Sequence, residues 1–341
     1  MIVSLLALII ISLVGIKFGK NVAFDGYISK DRSNAVKGIF ILMVFLSHIK
    51  GYITASGYAY QGVGDWAFQL FFKFIGQLMV VMFLFYSGYG IMESITRKGE
   101  SYVKAMPRHR ILGTLLNFDV AVCFFLVVNL LLHNEVSVKQ FLLSLVGWKS
   151  VGNSCWYIFV ILICYFVTWL CGSLIKDRRV LCGGVFAMLT LVAIGLYYVK
   201  DPWWYNTIWA YPAGMFYSIN KGKVEKMANR RYPLLLGLLS LAFVMVYLIP
   251  FEAIGFRTNL LSVVFALLVV VLTMRIKIGN SILRWCGEQL FPMYIYQRIP
   301  MLVFATLMPS LVANYPLVYI AISLLVAVFL TFCYRYIRIS L

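Results

Sequence analysis

Long apolar runs, separated by short polar segments rich in lysine and arginine, dominate the chain. A helix needs about twenty apolar residues to cross the hydrocarbon core of a bilayer. Eleven segments are candidates, at approximately 1–17, 36–53, 67–92, 111–133, 155–175, 180–199, 204–219, 232–250, 259–275, 286–308 and 316–334. The pattern predicts an all-α, polytopic transmembrane helix bundle of about eleven spans. The seventh segment is short and contains Pro212 and Gly214, which predicts a broken or re-entrant helix. The first run, Met1 to Ile16, has neither a basic segment before it nor a small-residue cleavage site after it. It reads as a retained helix rather than a signal peptide. No polar stretch is longer than about twenty residues, whereas a separate globular module needs about fifty or more.

Composition agrees. The 341 residues are 62% hydrophobic and 12% charged, far more apolar than a soluble domain. The net charge of +18 would suit a nucleic-acid binder, but its distribution argues for no nucleic-acid partner. Numbering the spans in order, the loop after span 1 carries Lys17, Lys20, Lys30 and Arg32, with Lys37 opening span 2. Alternate loops continue the series with Arg97 to Arg110, Lys176 to Arg179, Lys221 to Arg231, Arg275 to Arg284, and the tail residues Arg335 and Arg338. These hold 23 of the 30 basic residues; the opposite loops hold five, Lys50, Lys139, Lys149, Lys200 and Arg257. Cytoplasmic loops concentrate lysine and arginine, so the split predicts a plasma (inner) membrane protein with its N-terminus outside and its C-terminus in the cytoplasm. The seven cysteines fall mostly inside apolar runs with no CxxC or Cys/His cluster, which argues against a metal site or a disulfide framework.

Ionisable groups inside spans are costly and mark function by default. His48 lies about 18 Å along the second span, counting from its basic end at 1.5 Å per residue. An imidazole titrates near pH 6.5 in water and can serve as a base around neutrality. Asp119 falls near the middle of the fourth span. Glu288 lies near the basic end of the tenth span, with Gln297 and Arg298 near its middle, and Lys73 and Gln77 lie in the outer half of the third. His48, Asp119, Gln297 and Lys73 are therefore expected at one depth, lining one cavity. Trp203, Trp204, Tyr205 and Trp209 fit an interfacial aromatic belt.

Six segments, in order, resemble the acyltransferase-3 family of integral membrane acyltransferases. The first is Lys37 through His48, where the family has an arginine, ten mostly apolar residues and a histidine. Lys37 keeps the charge of that arginine but not its bidentate fork. The others are the aromatic run Phe83 to Gly90 with Ser87-Gly88-Tyr89, the basic cluster Arg108-His109-Arg110, the helix start Asn153-Ser154-Cys155-Trp156-Tyr157, the element Tyr211-Pro212-Ala213-Gly214-Met215, and Gly287-Glu288 through Gln297. The last often closes on a histidine in the family; here Gln297 stands in that place. The resemblance covers residues 37 to 298 and divides the chain into an N-terminal helix and basic loop, 1–30, and an acyltransferase-3-like transmembrane domain, 31–341.

The resemblance implies transfer of an acyl group, usually acetyl, from cytoplasmic acyl-CoA (acetyl-CoA) to a hydroxyl of an extracytoplasmic or lipid-linked glycan, an O-acetylation of the bacterial cell envelope. The donor is a substrate, and no permanently bound cofactor is implied. His48 would be the base, oriented or charge-stabilised by Asp119 or Glu288. Lys37, Arg108 and Arg110 would hold the phosphates of the donor. Ser87, Tyr89, Asn153, Trp156 and Gln297 would face the acceptor or donate to the oxyanion. The expected partners are the lipid bilayer, acyl-CoA and a glycan or glycolipid acceptor; a homo-oligomer is left open. A multi-pass transporter or flippase of a glycan or lipid-linked precursor would share the polytopic fold and the buried charges, but would not require the Lys37…His48 spacing.

Overall fold

The structure is a computed structural model that describes residues 1–19 and 25–341; Lys20 of the first basic loop lies outside the described residues. The chain begins with α1 (Ile2–Leu13) and a short strand β1 (Lys17–Phe18), followed by α2 (Lys30–Ala55), α3 (Gly62–Ile75) and α4 (Leu78–Lys98). Next come α5 (Glu100–Met106), a π-helical turn at Pro107–Leu112, α6 (Gly113–Leu131), α7 (Val138–Leu145), α8 (Trp156–Leu174) and α9 (Arg178–Tyr197). The remainder is α10 (Ala210–Tyr247), α11 (Phe256–Arg275), β2 (Ile276–Lys277), α12 (Ser281–Glu288), α13 (Leu290–Tyr296), α14 (Arg298–Leu307), α15 (Pro309–Asn314) and α16 (Pro316–Ile337). The protein is thus a polytopic helical bundle. Among the described residues, eight helices are long and apolar enough to cross a membrane when α3 with α4, and α5 with the π turn and α6, are each counted as one.

Four sequence expectations change at this level. The third apolar segment is not one straight helix, because Gly76 adopts φ +45° and separates α3 from α4. The seventh segment is not broken at Pro212. That proline sits in the first turn of α10, where the N–H it lacks would have no intrahelical partner. The helix of the seventh segment continues through the basic stretch Lys221–Arg230 to a kink at Arg231, where non-helical backbone just before Pro233 separates it from the eighth. The tenth segment is three short helices, interrupted at Gln289 and Gln297.

The basic segments gather at one end of the bundle. Lys176 pairs with Glu100, Arg178 donates to Thr96 at 3.3 Å, Ser218 donates to Glu93 at 2.7 Å, and Lys17 lies opposite Lys277 in the antiparallel β1–β2 ladder. The same ladder, with Asn280 donating to the Ile11 carbonyl at 2.9 Å, ties the N-terminal helix to the rest.

Helices in lipid gain little from hydrophobic association, so close backbone approach through small residues drives their packing. Two such contacts set the centre of this fold. A Cβ added to Gly38 would lie 1.9 Å from the Leu283 carbonyl oxygen, and one added to Gly287 would lie 1.8 Å from that of Asn34, so α2 and α12 interlock reciprocally. Gly88 and Gly214 do the same for α4 and α10, at 2.0 Å from the Tyr211 and Phe85 carbonyls. Phe45, Phe85 and Tyr211 are fully buried between these helices, while Leu238, Leu241, Met245, Leu325 and Phe329 are exposed on the outside, where lipid accommodates them.

Candidate functional site

The interlocked glycines hold α2, α4, α6, α8 and α13 around a cavity of about 470 Å³. Its mouth lies at the basic end, where Lys30, Lys37 and Arg110 contribute cations. The π turn after Pro107 carries Arg110, whose Nε donates to the Tyr102 hydroxyl at 3.1 Å. A neighbouring recess, lined by Lys98, Ser101, Tyr102, His109 and Arg110, extends this basic surface. Deeper in, the walls are Ser87, Tyr89, Tyr165 and apolar side chains of α8 and α13. Ser87 and Tyr165 share a hydrogen bond of 2.9 Å. Four of the expected residues, Lys37, Arg110, Ser87 and Tyr89, therefore line one cavity.

The far end of that cavity is aromatic. Tyr157 and Tyr294 both line it, their ring centroids 5.1 Å apart, and Phe83 meets Tyr157 edge-on at 6.0 Å. Tyr294 also meets the His48 ring edge-on at 6.2 Å. His48 thus stands beside the ring that ends the cavity, about 16 Å along α2 from Lys37 at the helical rise.

Around His48 the polar atoms are unusually under-used. Its Nε2 lies 3.4 Å from the Ser154 hydroxyl, and its Nδ1 is buried without a partner. Buried and unpartnered in the same region are Asn153 Nδ2, the Tyr294 hydroxyl, Gln297 Oε1 and Arg298 Nε. Asn153, Tyr294 and Gln297 are each at most 2% exposed. Native interiors satisfy nearly all such groups, so a cluster of exceptions marks a place where another molecule supplies the partners.

The segment before α8 holds this cluster in shape. Asn153 Oδ1 accepts from the Val151 N–H at 3.1 Å and from the Ser150 hydroxyl at 3.2 Å, which leaves Nδ2 as the free donor. Asn129 Nδ2 donates to the Val151 carbonyl at 2.7 Å, and Gln140 Nε2 to that of Ser150 at 2.8 Å. Gly152, at φ +104°, makes the turn. Arg298 Nη1 donates to the Asn153 carbonyl at 3.3 Å. Lys200 braces the approach: its ammonium lies 3.7 and 4.0 Å from the ring centres of Trp148 and Trp204 and donates to the Trp148 carbonyl at 2.7 Å.

Several expected residues fall elsewhere. Glu288 is exposed at the basic end; the contact of Gly287 with Asn34 sets it near Lys37, far from His48. Arg108 is exposed on the π turn and does not line the cavity. Asp119 has a buried, unpartnered Oδ1, and among the described residues no hydrogen bond or ion pair links it to the His48 cluster. Lys73 is exposed on α3, beyond the Gly76 bend. Of the four residues expected together, His48 and Gln297 fall in one cluster, Lys73 lies outside it, and among the described residues no bond joins Asp119 to them. Trp156, half-buried at the start of α8, packs edge-on against Tyr157 and backs the aromatic end wall.

Sequence reasoning gave no role to Tyr157, Tyr294, Ser154 or Arg298. The available signals were an arginine inside a span and the place of Ser154 and Tyr157 in the segment Asn153–Tyr157.

A family model described as an acyltransferase domain matches residues 31–335. No curated protein matches the chain, and no solved structure does. The family match covers α2 through most of α16 and with them both the basic cavity and the His48 cluster, so this multi-pass membrane protein belongs to the acyltransferase-3 family and is an acyltransferase.

Proposed function

We propose that the protein is an O-acyltransferase that moves a short acyl group, acetyl in the first instance, from cytoplasmic acyl-CoA to a hydroxyl of a glycan or lipid-linked glycan approaching from the other side of the plasma membrane. One observation carries the reading: a cavity with a cationic mouth at the basic end leads to an aromatic wall, and His48 with unpartnered polar neighbours lies against that wall. Membership of an acyltransferase family sets aside the transporter or flippase reading.

In this reading the basic end faces the cytoplasm, as the positive-inside rule requires, and the N-terminus lies outside. Lys37, Lys30 and Arg110 hold phosphates of the donor at the mouth through charge-assisted hydrogen bonds. Its thioester arm extends between Ser87, Tyr165 and Phe83 toward Tyr294. The Tyr294 ring turns aside for the thioester to meet the acceptor at His48. With Nε2–H donating to Ser154, the His48 Nδ1 lone pair takes the proton of the acceptor hydroxyl. The alkoxide oxygen attacks the thioester carbonyl, and a C–O bond forms. The tetrahedral intermediate collapses, the C–S bond breaks, and the CoA thiolate takes the proton back from the imidazolium. A positioned base contributes about 10²–10⁴-fold to such a step. The Tyr294 hydroxyl, on the ring beside His48, is a neutral donor for the developing oxyanion, a role usually worth about 10²–10³-fold per donor.

The test is transfer of labelled acetyl from acetyl-CoA to glycan in membranes carrying wild-type protein or His48→Ala at matched amounts. The expected loss is at least about a hundredfold. A wild-type rate in His48→Ala overturns the assignment of the base. Mass spectrometry of surface glycan from cells with and without the protein reads the acceptor and the acyl group.

A further inference from the structure

Arg298 is the charged member of the His48 cluster, and the reaction just described leaves it without a task. It opens α14 immediately after the helix break at Gln297. Among the described residues, no carboxylate lies within ion-pair distance of its guanidinium. It donates a hydrogen bond from Nη1 to the Asn153 carbonyl and makes a cation–π contact with Tyr52, whose ring centre is 5.6 Å away. The bond through Nη1 fixes the plane of the fork, and Nε is buried with no partner. A guanidinium without a counter-charge inside a membrane span is expensive, and the expense falls when a ligand supplies the anion. Asn153 Nδ2, held outward by the bonds its Oδ1 accepts, is a second unpartnered donor in the same cluster. Two buried unpartnered donors, one of them on a cation, make a site for an anionic oxygen group. A neutral polyol would leave the charge uncompensated.

We propose that the acceptor carries an anionic group, a carboxylate in first place, and that Arg298 selects the acceptor by binding it through the Nε edge. A planar carboxylate fits that edge through two parallel hydrogen bonds. A phosphate ester offers related chemistry without the planarity. This inference rests on the reading that the acceptor binds beside His48, and it narrows the acceptor to acidic glycans or acidic glycan building blocks.

The test uses the purified full chain in detergent or proteoliposomes, with labelled acetyl-CoA as donor and three matched acceptors: methyl glucuronide, methyl glucoside and glucose 6-phosphate. The wild type is expected to favour methyl glucuronide over methyl glucoside by about tenfold or more in kcat/KM, the scale of a hydrogen bond to a charged group. Arg298→Gln brings that ratio close to one, and Arg298→Lys, which keeps charge but loses the fork, gives an intermediate ratio. A thermal-shift titration with the same three compounds reads binding without turnover, and Arg298→Gln abolishes the preference there as well. Preference for the phosphate over the carboxylate keeps the anion site and reassigns its source. Equal handling of methyl glucuronide and methyl glucoside by the wild type in both measurements overturns the proposal. So does a wild-type ratio retained in Arg298→Gln. If His48→Ala retains full transfer while Arg298→Gln still removes the binding preference, the reading of His48 has failed and the anion site has not.

Discussion

The contact between α2 and α12 offers the sharpest quantitative test, because α2 carries Lys37 and His48 on one rigid rod. Gly38→Ala adds a methyl group 1.9 Å from the Leu283 carbonyl oxygen. An ordinary contact is near 3.4 Å, so the two backbones must separate by about 1.5 Å, and both are helical and cannot yield locally. Overpacking of this kind costs about 1–3 kcal/mol. The functional effect is larger than the stability effect, because a misplacement of about 1 Å at a reacting group can cost about 10²-fold in rate. Gly51 on the same helix is the control, since nothing lies within 4 Å of the Cβ it would gain. Gly51→Ala should hold or slightly raise stability through helix propensity, by about 0.5–1 kcal/mol. The assay pairs the melting temperature of detergent-solubilised protein with acetyl transfer in membranes at matched expression. Gly38→Ala is expected to melt lower and to lose most activity, whereas Gly51→Ala does neither. Equal behaviour of the two variants would refute the claim that this backbone contact sets the position of α2.

Other consequences follow from the same geometry. Lys200→Ala removes a cation held between two tryptophans, a contact worth about 0.5–2 kcal/mol; we expect a lower melting temperature and slower transfer, both partly restored by Lys200→Arg. Asn129→Ala removes the donor that holds the Val151 carbonyl and leaves that buried oxygen unpaired, at about 1–3 kcal/mol; protease protection of the Gly147–Cys155 segment should fall, and activity with it. Asp119→Asn is expected to keep transfer within about threefold, since no bond links that carboxylate to His48; loss on the scale of a general base, about 10²-fold or more, would restore Asp119 as its partner. Asn280→Ala removes an N-cap acceptor for Ile282 and Leu283 and the tie to Ile11, a change worth about 1 kcal/mol or more, read as a lower melting temperature.

The sequence by itself determined the class of the molecule. Apolar run length requires membrane-spanning helices, the one-sided lysines and arginines mark one end of the bundle, and the ordered segments from Lys37 to Gln297 carry the family. It also placed His48 and Lys37 correctly along α2, because position along a straight helix is arithmetic. The tertiary structure alone decided which residues from different helices meet. Equal depth suggested that His48, Asp119 and Lys73 share a cavity, but depth does not fix azimuth, and the bend at Gly76 removes Lys73 altogether. The segment Ser87-Gly88-Tyr89 reads as site chemistry, yet Gly88 is there so that α4 can touch α10, a backbone contact visible only once both helices are in place. Arg298 was conspicuous from the start as a charge inside an apolar span. Its partner carbonyl on Asn153 comes from a segment 145 residues earlier, and no local pattern brings the two together.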